Sequence, residues 1–242
     1  MFNLGVQSFT FRNFKTLDEL IGVVKKAGIG FVEVMPGHIS PDASEADISA
    51  GLKKFKSAGI AVSSYGVCNF SSDEKADRKI FEIGKMAGLK AISADIDPDA
   101  VSLAEKLAEE YGIKLAVHNH GRAHRYGSMV QLNELFGKSG KSVGICLDTA
   151  WMLDSGEDVL EAVEAFSKRL YGVHLKDFRF NPDGSHEDVV VGDGSLDLRK
   201  FFGALESVKF GGYMSIEYEG EPDNPLPSIL EAVSRVKRII GR

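Results

Sequence analysis

Four residues in the second half of the chain have the types and the placing to hold a divalent cation: His118, Asp148, His174 and Glu217. Each ends a short apolar run, Leu115-Ala116-Val117 before the first, Gly144-Ile145-Cys146-Leu147 before the second, Gly172-Val173 before the third and Met214-Ser215-Ile216 before the last. An aspartate, a glutamate and one or two histidines converging on one point are the ligand set of a hard-to-borderline cation. Two acids and an imidazole packed together without a cation would repel one another or shift their pKa values. The chemistry such a site serves is removal of a proton next to a carbonyl, with the metal stabilising the resulting enediolate.

That chemistry also needs a base, and the sequence offers two, Glu217 if loosely bound and His120. His120 reads equally well as a hydrogen-bonded rim histidine. Lys176, two residues past His174, can neutralise an oxyanion or donate a proton, or instead form a salt bridge with Glu217 or Glu219. Glu33 has the inward parity to bind substrate hydroxyls or to pair with a cation across the molecule. Arg179 can grip a hydroxyl or a phosphate, although a solvated loop arginine is the plainer reading. Trp151 and Phe180 are candidate apolar walls for a substrate ring, with core packing as the alternative; His124 and His186 lie in loops and support no specific assignment.

The elements that must position these groups are set out by a repeat. Ala27-Gly28-Ile29, Ala58-Gly59-Ile60, Ala87-Gly88-Leu89 and Tyr111-Gly112-Ile113 each close an amphipathic stretch and open an apolar one. Glycine just past a helix end supplies the left-handed turn that stops the helix. Strands are predicted near 4–9, 30–35, 60–67, 89–95, 113–119, 143–148, 170–176 and 212–218, with helices between them. Thr16-Leu17-Asp18-Glu19 is a capping box, and Asp97-Pro98 and Asn224-Pro225 place a cap residue before a proline. Eight strands alternating with eight helices predict α/β architecture, one (β/α)8 TIM barrel over 1–242. An open doubly wound sheet is disfavoured because no glycine-rich phosphate loop follows the first strand. Phe178 to Asp197 is predicted as a polar loop over one mouth.

Side chains alternate along a strand, so parity decides which ones point inward. Ala116, His118 and His120 share a face, as do Gly144, Cys146 and Asp148, then Gly172, His174 and Lys176, then Ser215, Glu217 and Glu219. The opposite faces, such as Leu115 and Val117 or Ile145 and Leu147, are apolar and suit packing against helices. The polar residues of four successive strands therefore share one side and one end, where barrels of this kind place their chemistry.

Bulk properties narrow the partners. A net charge of −6 argues against a nucleic-acid backbone, which needs a basic face. No run approaches the roughly 20 apolar residues of a membrane span. Cys68 and Cys146 lack metal or redox spacing and read as buried free thiols. With no basic and apolar leader pattern at the amino terminus, a cytoplasmic protein is expected. A homo-oligomer is compatible with the sequence, but no exposed pattern fixes one.

These stretches together resemble the xylose isomerase-like barrel superfamily, and within it the sugar phosphate isomerase/epimerase proteins. The resemblance rests on Phe31-Val32-Glu33-Val34, His118-Asn119-His120-Gly121, Gly144-Ile145-Cys146-Leu147-Asp148, Val173-His174-Leu175-Lys176-Asp177, Gly192-Asp193-Gly194 and Ile216-Glu217, and it runs over essentially the whole chain. It implies a metal held by Glu, Asp, His and Glu from strands five to eight, which carries over directly to Asp148, His174 and Glu217. At the fifth strand His118 stands where the family has glutamate. Epimerases of the family move protons with two metal-bound glutamates, and here only Glu217 remains. Many relatives have a histidine three residues after the aspartate, and in the DNA-repair endonuclease branch of the superfamily it helps bind a further zinc; Trp151 occupies that place here, against a nuclease.

With two imidazoles and two carboxylates around it, a divalent cation would be formally neutralised, a stronger Lewis acid, and Mn, Fe, Co or Zn rather than Mg. The leading expectation is a metal-dependent isomerase or epimerase acting on a small sugar, keto-sugar or polyol. The alternatives are a lyase that dehydrates a keto-sugar or keto-inositol, because losing one of two glutamates hurts epimerisation more than a one-base elimination, and a non-catalytic sugar-binding barrel.

Overall fold

The structure is a computed structural model that describes residues 2–241. The chain runs β1 (Leu4–Gln7), α1 (Leu17–Lys26), β2 (Phe31–Val34), α2 (Glu45–Ser57), β3 (Ala61–Tyr65), β4 (Cys68–Phe70), α3 (Glu74–Ala87), β5 (Ala91–Ile96) and α4 (Val101–Tyr111). It continues through β6 (Lys114–His118), α5 (Met129–Lys138), β7 (Val143–Asp148), α6 (Thr149–Asp154), α7 (Val159–Ala165) and β8 (Leu170–Leu175). Then come β9 (Asp177–Phe180), β10 (His186–Val189), α8 (Leu198–Ser207), β11 (Tyr213–Ile216) and α9 (Leu226–Ile239). The predicted TIM barrel is present: parallel strands follow one another in the order β3-β2-β1-β11-β8-β7-β6-β5-β4.

The third barrel strand is split, which its sequence did not show. Its first half, β3, pairs with β2, and its second half, β4, pairs with β5, so the two halves join the ends of the sheet. The break falls at Gly66, whose carbonyl accepts the Gln7 side-chain amide at 3.0 Å. An added Cβ at Gly66 would lie 2.4 Å from the Ser93 carbonyl oxygen, so only glycine lets the two backbones come this close.

The helices begin and end largely where local chemistry dictates. Thr16 and Glu19 form the reciprocal capping box of α1, and Gly28, Gly59, Gly88 and Gly112 all adopt positive φ at helix exits. The proline-linked caps are displaced. Asp97 opens a turn in which its carbonyl accepts the Ala100 amide at 2.9 Å, and α4 starts only at Val101. Helix α9 follows Pro225 without a side-chain cap from Asn224.

Apolar residues on the outward faces of the strands, Leu115, Val117, Ile145, Leu147, Val173 and Ile216, are buried against the helices, as parity requires. A smaller cluster of Ala91, Ala116, Cys146 and Tyr213, with Tyr171 packed against it, fills the base of the barrel interior. Gly144 and Gly172 make room for it: a Cβ at Gly172 would lie 2.2 Å from the Tyr213 ring and one at Gly144 would lie 2.4 Å from that of Tyr171. Both cysteines are buried free thiols, as expected.

The segment predicted as a loop over the mouth is ordered into a hairpin. Strands β9 and β10 pair antiparallel, with Phe178 opposite Asp188 and Phe180 opposite His186. The turn is made by Asn181, whose amide donates to the Ser185 carbonyl at 2.8 Å, and by Asp183, whose side chain accepts the Ser185 amide at 2.9 Å. Asp177 anchors the stretch beyond β10: its buried carboxylate accepts the backbone N–H groups of Gly192, Gly194, Ser195 and Leu196 at 2.8–3.0 Å. The Gly192-Asp193-Gly194 stretch thus wraps one carboxylate.

Candidate metal centre

The ends of β6, β7, β8 and β11 bring His118, Asp148, His174 and Glu217 together. One potential ligand atom from each lies within 4.8 Å of all the others. His118 Nε2 is 3.5 Å from Asp148 Oδ2, and His174 Nδ1 is 3.2 Å from Glu217 Oε2. His118 Nε2, Asp148 Oδ2 and His174 Nδ1 are buried and have no hydrogen-bond partner. Leaving one such atom unsatisfied costs about 1–3 kcal/mol, and three in one place call for an occupant. A divalent cation satisfies all three, and the imidazole and carboxylate donors suit it.

Two of these side chains, Asp148 and His174, are held by hydrogen bonds from their surroundings. Asp148 divides its oxygens: Oδ1 accepts the Trp151 amide at 2.9 Å and caps α6, which leaves Oδ2 to face the cluster. Asn119 brackets the Asp148 backbone, accepting its N–H at 2.8 Å and donating to its carbonyl at 3.0 Å. The other ring nitrogen of His174, Nε2, lies 2.9 Å from Glu33 Oε2. Ser215 donates to the same oxygen at 2.8 Å, and Ser93 donates to Glu33 Oε1. A carboxylate behind a metal-facing imidazole fixes its tautomer and orientation.

Glu33 therefore lies elsewhere than a sugar-binding role requires. It is fully buried, its oxygens are engaged, and it supports His174 from below the cluster. Of the two roles read for it, pairing across the barrel is the one the geometry favours.

Above the cluster opens a cavity of about 770 Å³, reached by His118, Glu217, His120 and Trp151. The His120 ring is 4.6 Å from that of Trp151 and 5.5 Å from that of His118. Burial, with His118 beside it, lowers the His120 pKa below the usual histidine value, favouring the neutral ring. Burial alone would raise the pKa of Glu217, but Lys176, His174 and His118 outweigh it and hold the group well below the carboxylate range. Burial also works against charge on His174, and the negative groups around it, Glu33 and Glu217 among them, overcome that and raise its pKa.

Lys176 is 1% exposed and does not line the cavity. Its ammonium pairs with Glu219, lies 3.5 Å from Asp188 Oδ2, and sits over the rings of Trp151 and Phe178. This is the salt-bridge reading, with Glu219 as partner. Arg179 is displaced from the site altogether: it projects from β9 toward Glu187 and the Asp193 carbonyl and lines no part of the cavity. Phe180 likewise stays off the cavity, whereas His124 reaches it, 3.3 Å from Asp95.

Asp188, Asn119 and Ser93 carried no sequence assignment. Asp188 enters only because the hairpin folds back over Lys176, and burial pushes its carboxyl up to about 7 although Lys176 opposes the shift. An Asn beside a candidate ligand and a small hydroxyl on a barrel strand were the only signals for the other two.

The model of the xylose isomerase-like TIM barrel family matches residues 99–239, which include all four residues of the cluster. The chain belongs to that family. Within this xylose isomerase-like group, the inosose dehydratase of Clostridium perfringens is 30% identical over 152 residues, 54% of this chain and 50% of that protein. The chain spans about half the length of the curated relatives it matches. Among solved structures, the IolI protein with a bound zinc atom superposes with a TM-score of 0.73 at 21% identity, over 98% of this chain and 96% of that one. The probable 3-DHS dehydratase AsbF of Bacillus anthracis superposes with a TM-score of 0.79 at 12% identity, over 98% and 99%. At these identities the structural likeness speaks for the fold alone. Among the described residues, no helix is long and apolar enough to cross a membrane.

Proposed function

We propose that the chain is a metal-dependent enzyme that removes a proton next to the carbonyl of a small keto-sugar or keto-inositol and expels water from the adjacent carbon. The observation that carries this reading is the ring of unpartnered ligand atoms on His118, Asp148 and His174, closed by Glu217, at the floor of a cavity wide enough for such a substrate. His118, Asp148, His174 and Glu217 would hold a divalent cation, which when bound would supply polarisation of a carbonyl oxygen and stabilisation of negative charge developing on it.

The residues themselves favour elimination over the isomerase or epimerase reading. Asp148 is fully buried and spends one oxygen on α6, so Glu217 is the only carboxylate of the cluster that reaches the cavity. His120, whose ring lies 5.5 Å from that of His118, also reaches the cavity and is not part of the ligand set. One carboxylate and one imidazole make an unlike pair. An unlike pair suits a step in which a base takes the C–H proton, the C–O bond breaks, and the departing hydroxide is protonated to water while a C=C bond forms beside the carbonyl. Trp151 forms a flat wall beside His120 against which a ring can lie. Lys176 fixes Glu219 at the cavity edge and places a positive charge behind Glu217. The dehydratase name of the Clostridium relative supports the same choice of reaction.

The test is incubation of the metal-loaded protein with keto-inositols and keto-sugars in D2O. An ultraviolet band from an enone or dione, with release of water, is the expected result. Deuterium incorporation without that band, and with formation of the isomeric sugar, returns the reaction to isomerisation or epimerisation. Neither signal across the panel, with binding retained, leaves a sugar-binding barrel.

A further inference from the structure

The cavity has two unlike sides, and they come from different halves of the chain. The cluster side is built by β6, β7, β8 and β11, within the stretch that the family model matches. The facing side is built by the ends of β1, β2, β3 and β4 and by α3, and it presents Phe9, Met35, Pro36, Pro41, Val67 and Ile80. Phe9 is one of the few large apolar side chains exposed on the molecule.

Little on that side can recognise a polar group. The amide of Gln7 is spent at both ends, donating to the Gly66 carbonyl and accepting the Phe9 N–H at 3.1 Å. Among the described residues Lys79 is the only lysine that lines the cavity, and Asp42 holds it at 2.7 Å. Among the described residues no arginine lines the cavity, whereas Asp42, Asp95, Glu217 and Glu219 do. A phosphate would meet four acids and one engaged cation. Asn69 remains as a polar side chain on this wall.

Volume points the same way. Cavities of roughly 300–1,000 Å³ enclose drug-sized molecules, and at about 770 Å³ this one has space beyond a single six-membered polyol ring. A second sugar would bring hydroxyls to a wall of proline, methionine, valine and isoleucine on which Asn69 and the mutually paired Lys79 and Asp42 are the few polar side chains, so most of those hydroxyls would lose water without gaining a partner, which is costly. An apolar group there is buried favourably.

We propose that the substrate is an uncharged keto-sugar carried as a glycoside with an apolar aglycone, its sugar facing the metal cluster and its aglycone lying on Phe9, Met35, Pro36, Pro41, Val67 and Ile80. This rests on the keto-sugar reading above. Its test reads binding, not turnover, so the two can fail separately.

Trp151 is the sole tryptophan of the chain and lines the cavity, so its fluorescence reports an occupant, with calorimetry as a second readout. The full chain, saturated with zinc, is titrated with phenyl β-glucoside, methyl β-glucoside, cellobiose and glucose 6-phosphate. Phenyl glucoside is expected to bind at least tenfold more tightly than methyl glucoside, with cellobiose and the phosphate ester no tighter than methyl glucoside. Met35→Ser and Phe9→Ala are each expected to bring the phenyl preference to within threefold and leave the methyl glucoside Kd unchanged. Equal affinity for the two glycosides, tighter binding of cellobiose or the phosphate, a phenyl preference that survives both substitutions, or no binding of any glycoside overturns the proposal. If the phenyl preference holds but no keto-substrate exchanges deuterium, the reaction falls and the binding specificity stands.

Discussion

Glu33 shows how far a single residue's role depends on what lies behind it. Its parity on β2 was legible, and so was the possibility of a cation partner, but its full burial against His174 was not. The Ser93, Ser215 and His174 side chains that occupy it come from positions 60 to 182 residues away. No local pattern records such a meeting. Glu33→Gln keeps the shape and removes the charge that orients His174, so zinc affinity should fall about 10- to 100-fold, read by competition with a chromophoric chelator. His118→Ala should weaken zinc binding by at least as much. Unchanged affinity in the second variant would make His118 a bystander and leave a three-residue site. By contrast, Asp148, His174 and Glu217 were legible in type and position, because each stands at the inward parity of a strand whose other face is apolar.

At the scale of elements, the sequence located the barrel strands because each is a short apolar run, and four of them follow a helix-exit glycine. It misplaced the features that depend on contact between distant segments. The third strand resumes at Cys68 only because Gly66 can approach the Ser93 backbone. The β9–β10 hairpin forms in a polar stretch whose sole local cue is the Asn181-Pro182-Asp183-Gly184 turn. The segment after the hairpin is fixed by Asp177, since four N–H groups converge on one carboxylate. Asp177→Ala strands those donors and should cost roughly 2–4 kcal/mol, given about 1–3 kcal/mol for each buried group that finds no water. Urea denaturation reads the loss. Limited proteolysis should show new cleavage between 181 and 196 under conditions where the parent chain stays intact. Wild-type stability in the variant would mean that the wrap is held from its outer side, where Arg235 pairs with Asp193.

At the scale of the whole molecule, the cluster ties together strands from β6 round to β11 and, through His174 and Glu33, reaches β2 across the barrel. A cation there links parts of the chain that otherwise meet only through the sheet. Ligand present at about 1,000 times its Kd stabilises a folded chain by about 4 kcal/mol, and in a chain of this size each kcal/mol moves Tm by about 2–4 °C. Chelation should therefore lower Tm by roughly 8–16 °C in scanning calorimetry, with recovery on adding zinc or manganese and less on adding magnesium. A Tm indifferent to chelator would show that the four residues are satisfied without a metal.

The plug at the base of the barrel governs traffic. Tyr213 and Tyr171, seated against Gly172 and Gly144, close the axis from below. Whatever enters over the cluster must leave by the same door. In an elimination that yields both an organic product and a water, the larger molecule stands between the smaller one and the exit. On the elimination reading, the newly formed water would stay beside the cluster until the organic product departs, and the site would reset in a single step when that door clears.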